Sequence, residues 1–372
     1  MTDRIRGADP GVVSEALGTG DPLPGARRSP AQRPVRGFAG HIEGAVVRDV
    51  LGRVPVYTEA ADPARWSFDP GDLTDPDVVP AGHARTEPGE KRVWSLPDPP
   101  AVDDATGVER TREAVRASVD AVDTEGLAVA FSGGVDSTAV AARLDAPLYV
   151  AGFPESHDVE AARSAARALD RDLTVVELTH EDLRRGVETV VAATGRTNAM
   201  DVNIALSLSL VAERVAADGY DRLALGQGAD ELFGGYAKVA GAPDDGRVAA
   251  DTVRGARRET VRTLPDQLVR DTRALRGAGV EPVVPLLDDR VVDAALSLGG
   301  PALVSPDGPR KHAFREAVGA WLPDQVAARD KKAVQYGSLV SRELDRIARQ
   351  AGFKRRMGDH VTAYVESVTD HD

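Results

Sequence analysis

The chain has 372 residues, 42% of them apolar, a net charge of −13 and no cysteine. That length suits one large or two modest domains. The absent cysteine excludes disulfides, thiolate metal sites and cysteine nucleophiles, and so acidic a surface argues against nucleic acid as a partner.

No apolar run approaches a membrane span, and the opening MTDRIRGADPGVVSEALG lacks the core of a signal peptide, so a cytoplasmic protein with no membrane partner is expected. Lysine occurs only at 91, 238, 311, 331, 332 and 354, whereas arginine is abundant. Acidic side chains with few lysines are what a high-salt cytosol favours, although a GC-rich genome biases toward arginine as well.

In chain order, residues 1–36 are rich in Gly, Pro, Arg and Ala without periodicity and read as irregular. Two short β-like runs, 44–48 and 54–58, follow, joined through Asp49, Leu51 and Gly52, and a proline-punctuated stretch extends from 63 to 100. From Gly107 the pattern becomes βαβα. A helix runs through 122, with strands at 127, 148–153, 173–178 and 222–225 and helices at 138–144, 159–169, 181–193 and 202–217. Such alternation predicts an α/β fold, a parallel sheet with helices on both faces. Beyond about 247 only helical periodicity is visible. The expected division is a reduced, β-rich region over 1–100 and a larger α/β domain over 101–372 with a helical C-terminal part.

One stretch carries a chemical signal. Leu127 to Ser137, LAVAFSGGVDS, is an apolar strand running into Ser132, Gly133, Gly134, Val135, Asp136 and Ser137, with a helix at once behind it. Paired glycines bring backbone N–H groups against an anion, and the serines add hydroxyl donors. A polyphosphate fits such a turn. Asp136 would repel it unless a divalent cation stood between them, so the same residues predict Mg2+. The plain alternative is a glycine-rich strand-to-helix turn with no ligand.

The hexapeptide resembles the pyrophosphate loop of the N-type ATP pyrophosphatases, and it lacks the G-K-[ST] of a Walker A loop. A second motif, Gly226 to Tyr236 (GQGADELFGGY), closely resembles the G-E-G-A-D-E-L-F-G-G-Y signature of asparagine synthetases and relatives such as β-lactam synthetase. The resemblance implies ATP and Mg2+ as cofactors, with Asp136 and Asp230 holding the metal. Ser132, Gly133, Gly134, Asp136 and Ser137 would lie around the phosphates. Gly152, Leu225 and Gly226 would meet adenine through backbone atoms. For Asp230 and Glu231 the alternative is a pair of helix-start acids complementing a dipole. Gly234 and Gly235 are read as shaping a turn.

Further on, GPRKHAFREAV is similar to the family's G-K-x-x-L-R-E-A at Lys311 and Arg315, and LPDQVAARDKK to its L-P-x-x-V-x-x-R-x-K at Leu322, Pro323, Val326, Arg329 and Lys331. The resemblance puts Lys311 on departing pyrophosphate and Lys331 near the α-phosphate, with Lys332 as alternate; a solvated basic patch is the plain reading. In the segment PVVPLLDD, Asp288 is expected to cap a helix. RDVLGRVPVY, residues 48–57, is faintly similar to a hairpin late in the family's glutaminase domain, so the N-terminal region reads as a remnant of it without the cysteine nucleophile.

Gln227 departs from the signature's glutamate. A carboxylate there can accept a proton from an incoming amine, whereas an amide only exchanges hydrogen bonds. The expected function is an ATP-dependent amide-forming ligase that adenylates a carboxylate, by default aspartate, and then transfers an amine. The amine would be free ammonia or ammonia from a separate glutaminase partner. A related ligase with another carboxylate or amine, and a non-catalytic nucleotide-binding subunit, are the rivals. The oligomeric state is not legible.

Overall fold

The protein is described by a computed structural model covering residues 4–29, 32–87, 89–242, 250–305, 309–327 and 339–369. It divides into two compact units. One comprises Met1–Val122, Gln227–Val269 and Val284–Ala320, the other Asp123–Gly226, Arg270–Val283 and Trp321–Asp372.

The first unit holds two antiparallel sheets. The larger contains β1 (Arg4–Arg6), β2 (Ala39–Ile42), β3 (Ala45–Arg48), β7 (His83–Thr86) and β8 (Gly89–Arg92), in the order β1-β2-β3-β7-β8. The smaller has β4 (Tyr57–Glu59) between β5 (Trp66–Ser67) and β6 (Pro76–Val78). Ala39, Val46, Val56, Phe68 and Val79 form a shared apolar core, with Val54 and Trp66 packed against it.

Two expectations need correction here. Residues 1–36 are not simply irregular, since Arg4–Arg6 pairs with β2 and Pro10–Thr19 is a helix. Its start and stop signals are local: Asp9 accepts the Gly11 N–H at 2.8 Å, Pro10 opens the first turn and Gly20 closes the last. The Trp94 indole donates to the Ala16 carbonyl and ties the helix down. The two β runs flanking Asp49 are also not partners of each other, because β3 and β4 belong to different sheets.

The turn between them holds a buried ionic knot. Arg53 donates from Nε to Asp49 at 2.8 Å and from Nη1 to Asp289 at 2.7 Å and to the Leu287 carbonyl at 2.8 Å. All three charged side chains are fully buried. Asp49 also accepts the Leu51 and Arg53 backbone N–H groups, and Asp289 accepts that of Gly25. Burial pushes the Asp289 carboxyl up to about 6, with Arg53 pulling against the rise.

The second unit is built on a five-stranded parallel sheet. Its strands are β9 (Leu127–Ala130), β10 (Leu148–Gly152), β11 (Leu173–Glu177), β12 (Arg222–Ala224) and β13 (Glu281–Val283), in the order β11-β10-β9-β12-β13. Every pairing is parallel, with Leu223 opposite both Ala128 and Pro282. Flanking helices include Val135–Ala141, His157–Ala168, His180–Thr194 and Ala199–Ala217, the last three opened by side-chain caps from Ser156, Thr179 and Asn198. β9 is central and accordingly apolar throughout.

β13 corrects the reading of the C-terminal part as helical alone. Three residues containing a proline carry almost no strand signal, and their place at a sheet edge is what tolerates the missing N–H. Asp288 caps the helix Asp289–Leu296, accepting the Arg290 N–H at 2.9 Å. Among the described residues no helix is long and apolar enough to cross a membrane.

Replacing Arg53 with Met would leave Asp49 and Asp289 buried without their cation. The expected loss is about 3–5 kcal/mol, read as a lower urea midpoint; an unchanged midpoint would show that the knot contributes nothing.

Candidate functional site

In the parallel-sheet unit the chain leaves β9 through Phe131 and enters the helix Val135–Ala141 after three residues. Gly133 has φ of +68°, and a Cβ there would lie 2.4 Å from the Ala161 carbonyl oxygen. Only glycine lets the turn press onto the helix His157–Ala168 in this way. Gly134 stands at the N-cap with extended backbone and offers no side chain to the first-turn N–H groups. The Ser132 and Ser137 hydroxyls are 3.3 Å apart, and Ser137 donates to the Gly134 carbonyl. Asp136, in the first turn, is buried.

Gly226 comes to this loop from the end of β12: a Cβ on it would stand 2.8 Å from the Ser137 nitrogen and 2.9 Å from the Asp136 Cβ. Leu225 is buried and donates its N–H to Val283. Gly152 closes β10, and its carbonyl accepts the Leu178 N–H. The loop and Gly226 are thus brought together, while Gly152 packs on Ser156 and Val159.

The other unit carries the remainder of the second motif. Gly228 opens a short helix, Ala229–Phe233, and Gly234 closes it in the left-handed conformation. The Phe233 and Phe314 rings pack at 4.8 Å, setting this helix against His312–Gly319. Lys311, the residue before that second helix, then reaches Asp230 with Nζ 2.6 Å from Oδ1. Gly235 passes directly over the pair: a Cβ there would fall 1.8 Å from the same Asp230 oxygen and 2.4 Å from the Lys311 Cε. Arg310 fastens that turn by donating to the Gly235 carbonyl at 2.7 Å.

Beside it, Glu231 is buried and accepts the Tyr236 hydroxyl proton at 2.6 Å. Burial is the main reason its carboxyl lies above the usual range, with Asp230 adding to the rise and Tyr236 opposing it. Gln227 is half-buried. Lys331 and Lys332 lie outside the described residues. Neither the Asp230–Lys311 pair nor the Glu231–Tyr236 pair was anticipated from the sequence. The tyrosine five positions after the acid was the only local signal for the latter.

Among the described residues no three histidine or carboxylate side chains gather into a metal-holding group. A magnesium ion on Asp136 or Asp230 would also draw ligands from phosphate oxygens and water, its common habit in nucleotide sites.

Glu231 yields a pH test. Its folded-state carboxyl holds the proton more tightly than the unfolded one, so ionisation costs stability as pH rises. The stability of Glu231→Gln relative to the unmodified protein should climb from about pH 4 toward neutrality in urea titrations; a flat difference would contradict the burial effect. Tyr236→Phe removes the donor from that carboxylate and should cost about 1–3 kcal/mol at neutral pH.

The asparagine synthase family pattern matches residues 109–258 and 244–369. A Methanocaldococcus jannaschii protein named as a candidate glutamine-hydrolyzing asparagine synthetase 1 is 28% identical over 265 residues, covering 62% of this chain and 49% of the relative. Escherichia coli glutamine-hydrolyzing asparagine synthetase B is 28% identical over 193 residues, covering 51% of this chain and 34% of the relative. The Asparagus officinalis glutamine-hydrolyzing asparagine synthetase is 25% identical over 257 residues, covering 63% and 42%. The chain thus spans about half the length, or less, of these relatives. Since the family pattern covers both motifs and most of the chain, this protein belongs to the asparagine synthase family.

Proposed function

We propose that this chain is an ATP-dependent carbon–nitrogen ligase of the asparagine synthetase kind. The observation that carries the reading is the Ser132–Ser137 turn. It stands at the carboxyl end of the central strand of a parallel sheet, where such folds collect ligands, and Gly226 of the second motif lies against it.

In this reading the turn's N–H groups and the hydroxyls of Ser132 and Ser137 hold the ATP phosphates. Leu225, Gly226 and Gly152 meet the adenine with backbone atoms. Asp136 and Asp230 are the carboxylates for Mg2+, which when bound offsets charge on the phosphates. A substrate carboxylate takes the adenylyl group and pyrophosphate leaves, with Lys311 drawn to the leaving group and Lys331 to the α-phosphate. An amine then displaces AMP, forming the amide and releasing one proton. Gln227 cannot take that proton, so it passes to water or to the departing phosphate.

Aspartate is the default carboxylate, with ammonia free or delivered by a separate glutaminase. Residues 1–100 serve as a reduced remnant of a glutaminase domain, and 101–372 as the synthetase domain. Gln227 favours a second reading, a related ligase with another carboxylate or amine. Names of the relatives support an asparagine-forming reaction, and the amide at 227 departs from the family signature.

The test is pyrophosphate release from ATP and Mg2+ with aspartate and ammonium present, then with each omitted. Aspartate-dependent release with asparagine formed is the expected result, reduced at least ~100-fold in Asp136→Asn. Release with a different acid would keep the ligase and replace the substrate. No release with any acid, from a protein that still binds ATP, would favour a nucleotide-binding subunit.

A further inference from the structure

The Asp230–Lys311 pair is built asymmetrically. The lysine side chain is 6% exposed and the aspartate 39%, so the ammonium lies beneath a carboxylate that solvent can reach. Two features show that the surroundings hold the pair in place. Lys311 adopts the left-handed backbone conformation (φ 60°, ψ 38°), uncommon for a residue with a side chain and characteristic of positions that the surrounding structure over-determines. Gly235 leaves just the space that the pair occupies, and Arg310, adjacent to Lys311, anchors the Gly235 carbonyl.

A carboxylate already neutralised at 2.6 Å is a poor ligand for a bare divalent cation. The Lys311 ammonium would repel the metal at nearly the same distance at which the Asp230 carboxylate attracts it. A polyphosphate changes that balance, because it brings several negative charges and offers the ammonium another acceptor. Resting on the reading of Asp230 as a metal carboxylate, we infer that Lys311 makes divalent-cation binding at Asp230 conditional on nucleotide. In the free protein the lysine holds the metal off. With ATP present it turns toward phosphate, and the same movement supplies charge to the leaving group and releases the carboxylate.

The experiment uses Mn2+ as the probe, with bound and free ion distinguished by electron paramagnetic resonance and ATP–Mn2+ alone as the reference. The full chain is compared with Asp230→Asn, Lys311→Met, Lys311→Arg and the Lys311→Met/Asp230→Asn double variant, with and without ATP. Without ATP, Asp230→Asn should leave the weak Mn2+ affinity of the full chain unchanged; with ATP it should lower protein-bound Mn2+. Lys311→Met should tighten ATP-free Mn2+ binding at least ~10-fold, a gain absent from the double variant and from Lys311→Arg, which keeps the charge.

ATP-free Mn2+ binding in the full chain that Asp230→Asn abolishes would overturn the inference, and it needs no lysine variant to fold. No gain in a folded Lys311→Met, with ATP-linked binding still dependent on Asp230, would overturn the inference alone. Mn2+ binding indifferent to Asp230 in both states would overturn the metal reading beneath it.

Discussion

A guanidinium with no access to water needs acceptors, and Arg53 finds two carboxylates and a carbonyl for Nε and Nη1, while among the described residues its buried Nη2 has no hydrogen-bond partner. Much of its unit hangs on this. The knot joins the 49–53 turn, which links the two antiparallel sheets, to the segment Leu287–Asp289 some 230 residues later. Leu287 in turn packs where Gly228 has no side chain, a Cβ there falling 2.4 Å from the leucine Cδ2. Gly228 opens the helix that bears Asp230. The RDVLGR stretch therefore has a structural role of its own: through Arg53 it is tied to the Leu287–Asp289 segment that packs against Gly228.

The two motifs achieve close approach by the same device, the omission of a Cβ. At Gly133 the turn is pressed onto the backbone of a neighbouring helix, and at Gly235 it is folded over an ion pair. Neither position would tolerate even alanine without displacement, since both contacts fall far inside van der Waals distance. Charge is handled differently in the two places. Asp136 is enclosed in the turn itself, whereas Asp230 is left partly open with its counter-ion buried beneath it.

Gln227 stands at the junction of these themes. It lies between a strand end and the helix of Asp230, in the position where the family signature has a carboxylate. Four residues further on, Glu231 is buried with a tyrosine hydroxyl as partner and is engaged in holding the turn. The neutral residue at 227 lowers the negative charge of a short segment that already carries two acids, Asp230 and Glu231.

By itself the sequence determined the class of fold and the strand–turn–helix form of the loop. An apolar strand followed by paired glycines, serines and an acid has few physical meanings, and strand–helix alternation implies a parallel sheet because parallel strands need crossovers. These signals are local, and local signals survive without coordinates. The helix Pro10–Thr19 was equally legible in its capping residues and was obscured only by composition. Tertiary structure alone decided the rest. β13 exists because an edge was available for Glu281–Val283, and Arg53 finds Asp289 across 236 positions. Lys311 meets Asp230 because two phenylalanines bring their helices together and a glycine makes room. Pairings of this kind depend on the distance between side chains far apart in the chain, a quantity that no spacing within a motif encodes.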